Sequence, residues 1–173
     1  MLRFKDLITE VPDFPIDGVN FKDISPLLAN EQVFDECIEG MGEMVEIPDY
    51  WVGIDARGFI FASALSIYFG GGIVLCRKKG KLPPPTVDVN YNTEYSTEYI
   101  SMKAGTGSVV IVDDVLATGG TLMAVNDLCE RAGYNIIDNL VLIDLKYVPR
   151  VKKDWPTNEK DFDLNIKSLI SYE

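Results

Sequence analysis

The sequence contains no histidine. Catalytic arrangements of the Ser-His-Asp and Cys-His kinds need an imidazole to move a proton, so the sequence excludes them. The common metal sites that are ligated by histidine are excluded for the same reason. Any chemistry that the chain carries must therefore use carboxylates, cations, hydroxyls and backbone groups.

Positive charge is also scarce in this chain. Its 173 residues include 16 Lys and Arg against 27 Asp and Glu, which gives a formal net charge of −11. A general nucleic-acid-binding protein needs an electropositive surface to meet phosphates, so we expect no nucleic-acid partner. The same excess of negative charge makes any local basic cluster informative.

The sequence has few long apolar runs and few cysteines. Its longest uncharged apolar run, residues 59–75, is interrupted by serine and glycine, so we expect no membrane partner. Acidic residues within the first ten positions argue against a secretory signal. Cys37, Cys76 and Cys129 are odd in number and lie in apolar surroundings. They predict buried free thiols and a reducing, cytoplasmic setting.

Apolar residues make up 47% of the sequence, enough to fill the core of one domain over residues 1–173. Apolar spacing predicts a short N-terminal helix and a proline-rich connector within residues 1–30, and longer helices over 31–46, 58–70 and 119–133. Strands are predicted at 50–55, 72–76, 108–113 and 135–145, a basic loop at 77–86 and a two-stranded excursion at 91–101. The tail from residue 148 is predicted to add an edge strand or a small lobe.

This alternation of strands and helices predicts an α/β fold with a central, mainly parallel sheet covered by helices on both faces. Ligands of such sheets bind beyond the carboxyl ends of the strands. The motifs "DARG", "RKKGK" and "DDVLATGGT" each follow a predicted strand. We therefore expect them to form one shared site.

The segment "VVIVDDVLATGGTL", residues 109–122, carries the clearest signal. Small residues in the loop Ala117, Thr118, Gly119, Gly120 and Thr121 let consecutive backbone N–H groups turn inward. The positive end of the following helix points at the same place, so the loop is suited to a phosphate monoester. No lysine follows the glycines and no GxGxxG is present, which disfavours nucleoside triphosphate hydrolysis and dinucleotide binding.

Two adjacent acids, Asp113 and Asp114, precede this loop. Carboxylates accept hydrogen bonds from a vicinal diol, and a ribose 5-phosphate offers a diol beside a phosphate. An acid pair also stabilises positive charge that develops on a ribose ring. The pair is therefore predicted to bind the ribose, the plain alternative being a helix-capping Asp with an exposed neighbour.

The same segment resembles the signature of the type I phosphoribosyltransferases, which bind 5-phosphoribosyl 1-diphosphate. The chain is most similar to the adenine-specific members of that family. The resemblance covers about residues 10–147 and the tail, through "FPIDGVNFKDISPLL", "VGIDARGFIFASAL", "RKKGKLPP", "YNTEYSTEYI" and "SLISYE". It implies the type I phosphoribosyltransferase fold with a small hood, a base-recognition segment at about 10–30, a flap hairpin at about 83–103, and a homodimer.

The resemblance also implies a diphosphate site. Ala56 and Arg57 would contact the leaving group from a loop with a cis peptide at Asp55–Ala56. Arg77, Lys78 and Lys81 would meet the same diphosphate, and Lys81 would act across a dimer interface. Mg²⁺ would be held by substrate oxygens and water, with no direct protein ligand.

For the base, the resemblance implies that Phe21 stacks on a purine whose polar edge is read near Asn20 and Lys22, with Val115 on the opposite face. Relatives often have a branched apolar residue in place of Asn20 and arginine in place of Lys22.

In the flap, Tyr95 would cover the diphosphate and exclude water, and Glu94 would manage the proton as the purine N9 becomes the nucleophile. Relatives usually have glycine where this chain has Ser96.

The implied reaction converts adenine and phosphoribosyl diphosphate into AMP and diphosphate, as in purine salvage. Two alternatives stay open at this point. One is a phosphoribosyltransferase for a 6-oxopurine or for orotate, and the other is a purine-responsive regulator without catalysis. The regulator would need a DNA-binding segment or a basic face, and the sequence presents neither.

Overall fold

The computed structural model describes residues 2–92, 97–151 and 162–173. Its strands are β1 (Thr9–Val11), β2 (Phe21–Asp23), β3 (Tyr50–Ile54), β4 (Gly72–Lys78), β5 (Val87–Asn92), β6 (Thr97–Met102), β7 (Ser108–Leu116), β8 (Asn135–Leu145) and β9 (Ile166–Tyr172). Its helices are α1 (Leu2–Lys5), α2 (Ser25–Leu28), α3 (Glu31–Gly42), α4 (Gly58–Phe69) and α5 (Gly120–Ala132).

Seven of these strands form one sheet in the order β5-β6-β4-β3-β7-β8-β9. The five strands from β4 to β9 in that order pair in parallel, and the β5–β6 hairpin adds antiparallel strands at one edge. The predicted mainly parallel sheet is thereby confirmed. Because the parallel strands share one direction, the loops after β3, β4 and β7 all leave the sheet at the carboxyl-terminal ends of its strands.

Two apolar clusters cover the two faces of this sheet, and β7 contributes to both. Val110 and Val112 pack in the cluster that includes Phe61 of α4, whereas Val109 and Ile111 pack in the cluster that includes the inner side of α5. Successive side chains of a strand point to opposite faces, so an unbroken run of β-branched residues is what a strand buried on both faces requires.

Several element bounds differ from the sequence prediction. The helix predicted over 31–46 ends at Gly42, since Gly40 and Gly42 lower the helix propensity of its last turn. Strand β4 continues through Arg77 and Lys78, so the first two residues of the predicted basic loop are strand residues that pair with β6. Strand β7 likewise continues through the two acids to Leu116.

The two ends of the chain are also resolved into elements. The tail forms the edge strand β9, parallel to β8. Of the two predictions for the tail, an edge strand or a small lobe, the edge strand is confirmed. The N-terminal connector contains a small antiparallel pair, β1–β2, that the sequence analysis missed because each strand has only three residues.

Two further expectations are confirmed. Cys37, Cys76 and Cys129 are free and buried, and burial raises the pKa of the Cys37 and Cys129 thiols to about 12. The Asp55–Ala56 peptide bond is cis. Among helices in the described ranges, none has the length and apolar character needed to cross a bilayer.

Candidate active site

The loop after β7 forms a small cradle at the start of α5. Gly119 is the N-cap of α5 and has φ of +87°, a conformation that favours glycine, and residues 117–121 all line a cavity of about 110 Å³. Asp113 and Val115 line the same cavity. The unpaired N–H groups of the first helical turn make this cavity suited to an anion.

The two acids at the end of β7 differ in their surroundings. Asp113 borders the cavity and accepts a hydrogen bond from the backbone N–H of Asp114 at 2.9 Å. Asp114 is only 3% exposed, and its Oδ2 lies 2.9 Å from Nε of Arg57 without the angle that a hydrogen bond requires. That oxygen is therefore buried beside a cation without accepting a hydrogen bond.

Burial controls the electrostatics of this acid pair. Desolvation raises the pKa of Asp113 well above its ordinary value, and the neighbouring Asp114 charge raises it further. Desolvation also raises the pKa of Asp114, against the opposing effect of Arg57. A ligand that brings hydroxyl donors or positive charge to this pair relieves the cost of holding two carboxylates in the protein interior.

Arg57 joins the acids to the N-terminal hairpin. It lies in the turn between β3 and α4, and α4 begins so close to β7 that a Cβ on Gly58 would come 2.6 Å from the Val112 carbonyl oxygen. The guanidinium carbon of Arg57 lies 5.0 Å from the centre of the Phe21 ring. Arg57 thus contacts both the predicted ribose acid and the predicted base-stacking residue.

Two basic residues at the end of β4 are paired with acids. Arg77 lies 3.2 Å from Asp55, whose peptide bond to Ala56 is the cis bond, and Lys78 lies 3.7 Å from Glu98 of the β5–β6 hairpin. Arg77 also donates to the carbonyl oxygen of the exposed Lys81. An incoming diphosphate would compete with these carboxylates for the same cations.

The predicted base-recognition residues are held by a residue that the sequence analysis did not select. Glu10 of β1 accepts a hydrogen bond from Asn20 at 2.7 Å and pairs at 2.7 Å with Lys22, which stands directly opposite it in β2. Lys22 is 4% exposed, and its ammonium lies 4.2 Å from the centre of the Tyr172 ring. Phe21, between them, meets Phe14 edge to face with ring centres 5.3 Å apart.

Other residues near the cradle were also missed. Tyr91 of β5 places its hydroxyl 3.4 Å from that of Thr121. Arg150 and Phe162 approach the loop from the far end of the chain, and neither lies in a recognisable motif. Glu94 and Tyr95 of the predicted flap lie outside the described residues, between β5 and β6.

Comparison with known proteins assigns the class. A model of the phosphoribosyl transferase domain matches residues 23–170. The fold, with its loop between β7 and α5, is therefore that of a phosphoribosyltransferase, a pentosyltransferase enzyme.

Individual relatives narrow the class. An adenine phosphoribosyltransferase from Bdellovibrio bacteriovorus is 42% identical over 173 residues, covering 99% of this chain and all of the relative. A crystal structure of adenine phosphoribosyltransferase from Thermoanaerobacter pseudethanolicus has a TM-score of 0.87 at 36% identity, with 99% of each chain covered. The enzyme from Giardia lamblia, solved with 9-deazaadenine, has a TM-score of 0.86 at 32% identity, covering 99% of this chain and 97% of its own. The chain belongs to the adenine phosphoribosyltransferase family.

Proposed function

We propose that the chain transfers a 5-phosphoribosyl group from phosphoribosyl diphosphate to N9 of adenine and releases AMP and diphosphate. One observation carries this proposal: β7 runs through the partly exposed Asp113 and the buried Asp114 into a cavity that all five residues of the loop 117–121 line. Acids for a diol and a cradle for a monoester, a few residues apart, suit a ribose 5-phosphate. The family membership supports adenine as the acceptor.

In this proposal the 5′-phosphate occupies the cradle. The backbone N–H groups of residues 117–121 and the hydroxyls of Thr118 and Thr121 bind its oxygens. Asp113 and Asp114 accept hydrogen bonds from the ribose hydroxyls. As the bond from C1′ to the diphosphate oxygen breaks, positive charge develops on the ring, and the two carboxylates stabilise it.

The leaving diphosphate is proposed to lie against the turn after β3. The backbone at Ala56 and the guanidinium of Arg57 contact it, together with Arg77, Lys78 and Lys81. Arg77 pairs with Asp55 at 3.2 Å and Lys78 with Glu98 at 3.7 Å, so these two cations are available to exchange a carboxylate for the diphosphate. Their combined charge stabilises the negative charge that the diphosphate gains on departure.

Mg²⁺ fits this arrangement as an ion carried by the substrate. Within the described ranges, no three or more acidic or cysteine side chains are grouped so as to hold a metal ion. Asp113 and Asp114 offer hard carboxylate oxygens beside the ribose position, which suits a hydrated Mg²⁺. When bound, the ion would neutralise charge on the diphosphate.

The adenine is proposed to stack on Phe21, with Val115 on its other face and the backbone near Asn20 and Lys22 reading its polar edge. Arg57 connects this base position to the ribose acids, since it lies 5.0 Å from the Phe21 ring centre and 2.9 Å from Asp114. From the flap, Glu94 is proposed to accept the N9 proton and Tyr95 to exclude water. Hydrolysis of the activated ribose is thereby prevented.

A homodimer is proposed from the apolar side chains that α4 leaves exposed. Ile67 is 89% exposed, and Ile60 and Tyr68 are 40% and 48% exposed. They border an open groove with Phe34 and Ile38 of α3. A second copy of the chain would cover this apolar surface, and sedimentation velocity tests that state.

The decisive experiment measures turnover of phosphoribosyl diphosphate with adenine, hypoxanthine and guanine side by side in the presence of Mg²⁺. We expect adenine to be preferred by several orders of magnitude, because a site that hydrogen-bonds an amino group leaves its own groups unpaired against an oxo group. Equal rates with an oxopurine would overturn the base assignment, and no turnover would overturn the enzyme assignment. A crystal structure with AMP tests the assignment of the 117–121 loop as the phosphate site, since the phosphate of AMP must lie among the backbone amides of that loop.

A further inference from the structure

Arg150 contacts the phosphate cradle from behind. Its guanidinium donates to the carbonyl oxygen of Ala117, to that of Leu145 at 3.2 Å, and to the carboxylate of Asp144. Asp144 and Leu145 are the last residues of β8, so Arg150 joins the end of that strand to the loop after β7. Asp144 is 9% exposed, which shields this ion pair from solvent.

The next residue makes a second contact of the same kind. The backbone N–H of Val151 donates to the carbonyl oxygen of Thr118 at 2.9 Å. Phe162 closes the outer side of the loop: a Cβ on Gly119 would lie 2.4 Å from its ring, and the ring centre lies 5.7 Å from the guanidinium carbon of Arg150. Two consecutive carbonyl groups of the cradle are thus held by one short segment.

The direction of these carbonyl groups decides the direction of the N–H groups that a phosphate would meet. A trans peptide is planar, and its C=O and N–H point in opposite directions. A carbonyl of Ala117 drawn outward to Arg150 turns the N–H of Thr118 inward. A carbonyl of Thr118 drawn outward to Val151 does the same for the N–H of Gly119.

We propose that Arg150 is a positioning residue for the 5′-phosphate. It acts through the peptide groups of the loop and makes no contact with the substrate. By fixing the Ala117 carbonyl, and through the adjacent Val151 that of Thr118, it presents two backbone donors to the phosphate before the substrate arrives. Such preorganisation removes the cost of ordering the loop during binding. The inference rests on the proposed function, since it takes the cradle to be the 5′-phosphate site.

The test separates the two halves of the substrate. Ribose 5-phosphate and inorganic diphosphate are titrated into the wild-type chain, Arg150→Ala and Arg150→Lys. We expect Arg150→Ala to bind ribose 5-phosphate about tenfold more weakly and diphosphate unchanged, because only the cradle is disturbed. Arg150→Lys keeps the charge but not the planar fork, so we expect a smaller loss of about threefold, again for ribose 5-phosphate alone.

The control is Arg131→Ala, which removes a guanidinium that pairs with Asp127 on α5. Equal weakening of both ligands in an Arg150 variant, or no weakening of either, would overturn the inference. If Arg150→Ala does not fold, the Arg150→Lys comparison decides in the same way. Turnover by the wild-type chain is judged separately, so a failure of the proposed function is distinguishable from a failure of this inference.

Discussion

The ribose-phosphate end and the base end of this site are built in different ways. The ribose-phosphate end comes mostly from one continuous stretch, Asp113 to Thr121, in which a buried strand meets a helix N-terminus. The base end is a pair of three-residue strands held by contacts far apart in sequence, including the Lys22 ammonium 4.2 Å from the centre of the Tyr172 ring. The first end is anchored in the central sheet through β7, whereas the second packs against the C-terminal strand through Lys22 and Tyr172.

The pKa values of the carboxyl groups at the two ends are shifted in opposite directions. Burial raises the pKa values of Asp113 and Asp114, so the ribose-phosphate end holds carboxylates at a cost. The hydrogen bond from Lys22 lowers the pKa of Glu10, so at the base end ionisation of the carboxyl group is favoured. The carboxyl group of Glu10 is thus stabilised in its ionised form by Lys22, whereas burial disfavours the ionised forms of Asp113 and Asp114.

The largest effect is expected from Asp114→Asn. The change keeps the shape of the side chain but removes the charge that faces Arg57 and, in our proposal, the ribose. We expect kcat/KM for phosphoribosyl diphosphate to fall about 100-fold, as for the loss of a transition-state electrostatic contact. Steady-state kinetics measure it, with thermal unfolding as the check on folding.

Asp127→Asn, at an acid of α5 that pairs with Arg131, is the matched control for Asp114→Asn and should leave kcat/KM near the wild-type value. Wild-type activity in Asp114→Asn would contradict the assignment of ribose binding to the end of β7.

A smaller effect is expected at the base end from Phe21→Leu, which keeps an apolar side chain but removes the stacking surface. We expect KM for adenine to rise about tenfold while KM for phosphoribosyl diphosphate stays near wild type, because base–aromatic stacking contributes about 1–3 kcal/mol. A rise in the KM for adenine alone would support separate binding of the base and of the ribose phosphate.

Phe14→Leu removes a ring that touches Phe21 only edge to face, so it serves as the control and should change the KM for adenine less. A rise in the KM for phosphoribosyl diphosphate as large as that for adenine would instead mean that Phe21 supports the whole site.

The same division explains how much could be predicted from the sequence. The cradle, the acids and α5 lie in one window, where β-branched residues, small residues and Gly133 each predict a local conformation. The structure confirms the order of strand, loop and helix, but β7 extends three residues beyond its predicted end. The mainly parallel sheet followed from the alternation of elements, and the tail was predicted to add an edge strand or a small lobe. The secondary structure of this region could therefore be predicted from its own residues, whereas the contacts that Arg150 and Val151 make with the loop could not.

The missed residues act over long range. Glu10 and Arg150 belong to no quoted motif, and Tyr172 lies in the tail motif without a role assigned to it. Each gains its role only when distant segments pack together. Arg77 and Lys78 were assigned to a loop because two adjacent charged residues are not typical of a buried strand. They pair with Ser101 and Ile100 of β6, a segment distant in the sequence. Periodicity and turn residues carry no information about such pairings.

The smallest effect, and the sharpest test of the electrostatic contrast, is the pH dependence of stability in two neutralised variants. The folded-state pKa of Asp113 is raised above its ordinary value of 3.8. Its ionisation therefore costs stability at high pH and costs nothing below the unfolded pKa. Asp113→Asn should gain stability near neutral pH, by about 1 kcal/mol or less because Asp113 is partly exposed to solvent, and the gain should shrink as the pH falls.

Glu10→Gln should show the opposite sign. The folded-state pKa of Glu10 is lowered from its ordinary value of 4.5. Its pairing with Lys22 therefore stabilises the protein fully above pH 4.5, and this stabilisation is lost as the pH falls through the lowered pKa. Glu10 is half exposed, so solvent screens the pair and the loss at neutral pH should be about 1 kcal/mol or less. Urea unfolding from about pH 4 to about pH 8 measures both variants against wild type. The changes in unfolding free energy of the two variants, each relative to wild type, should have opposite signs near neutral pH. If they had the same sign, the electrostatic contrast between Asp113 and Glu10 would be contradicted.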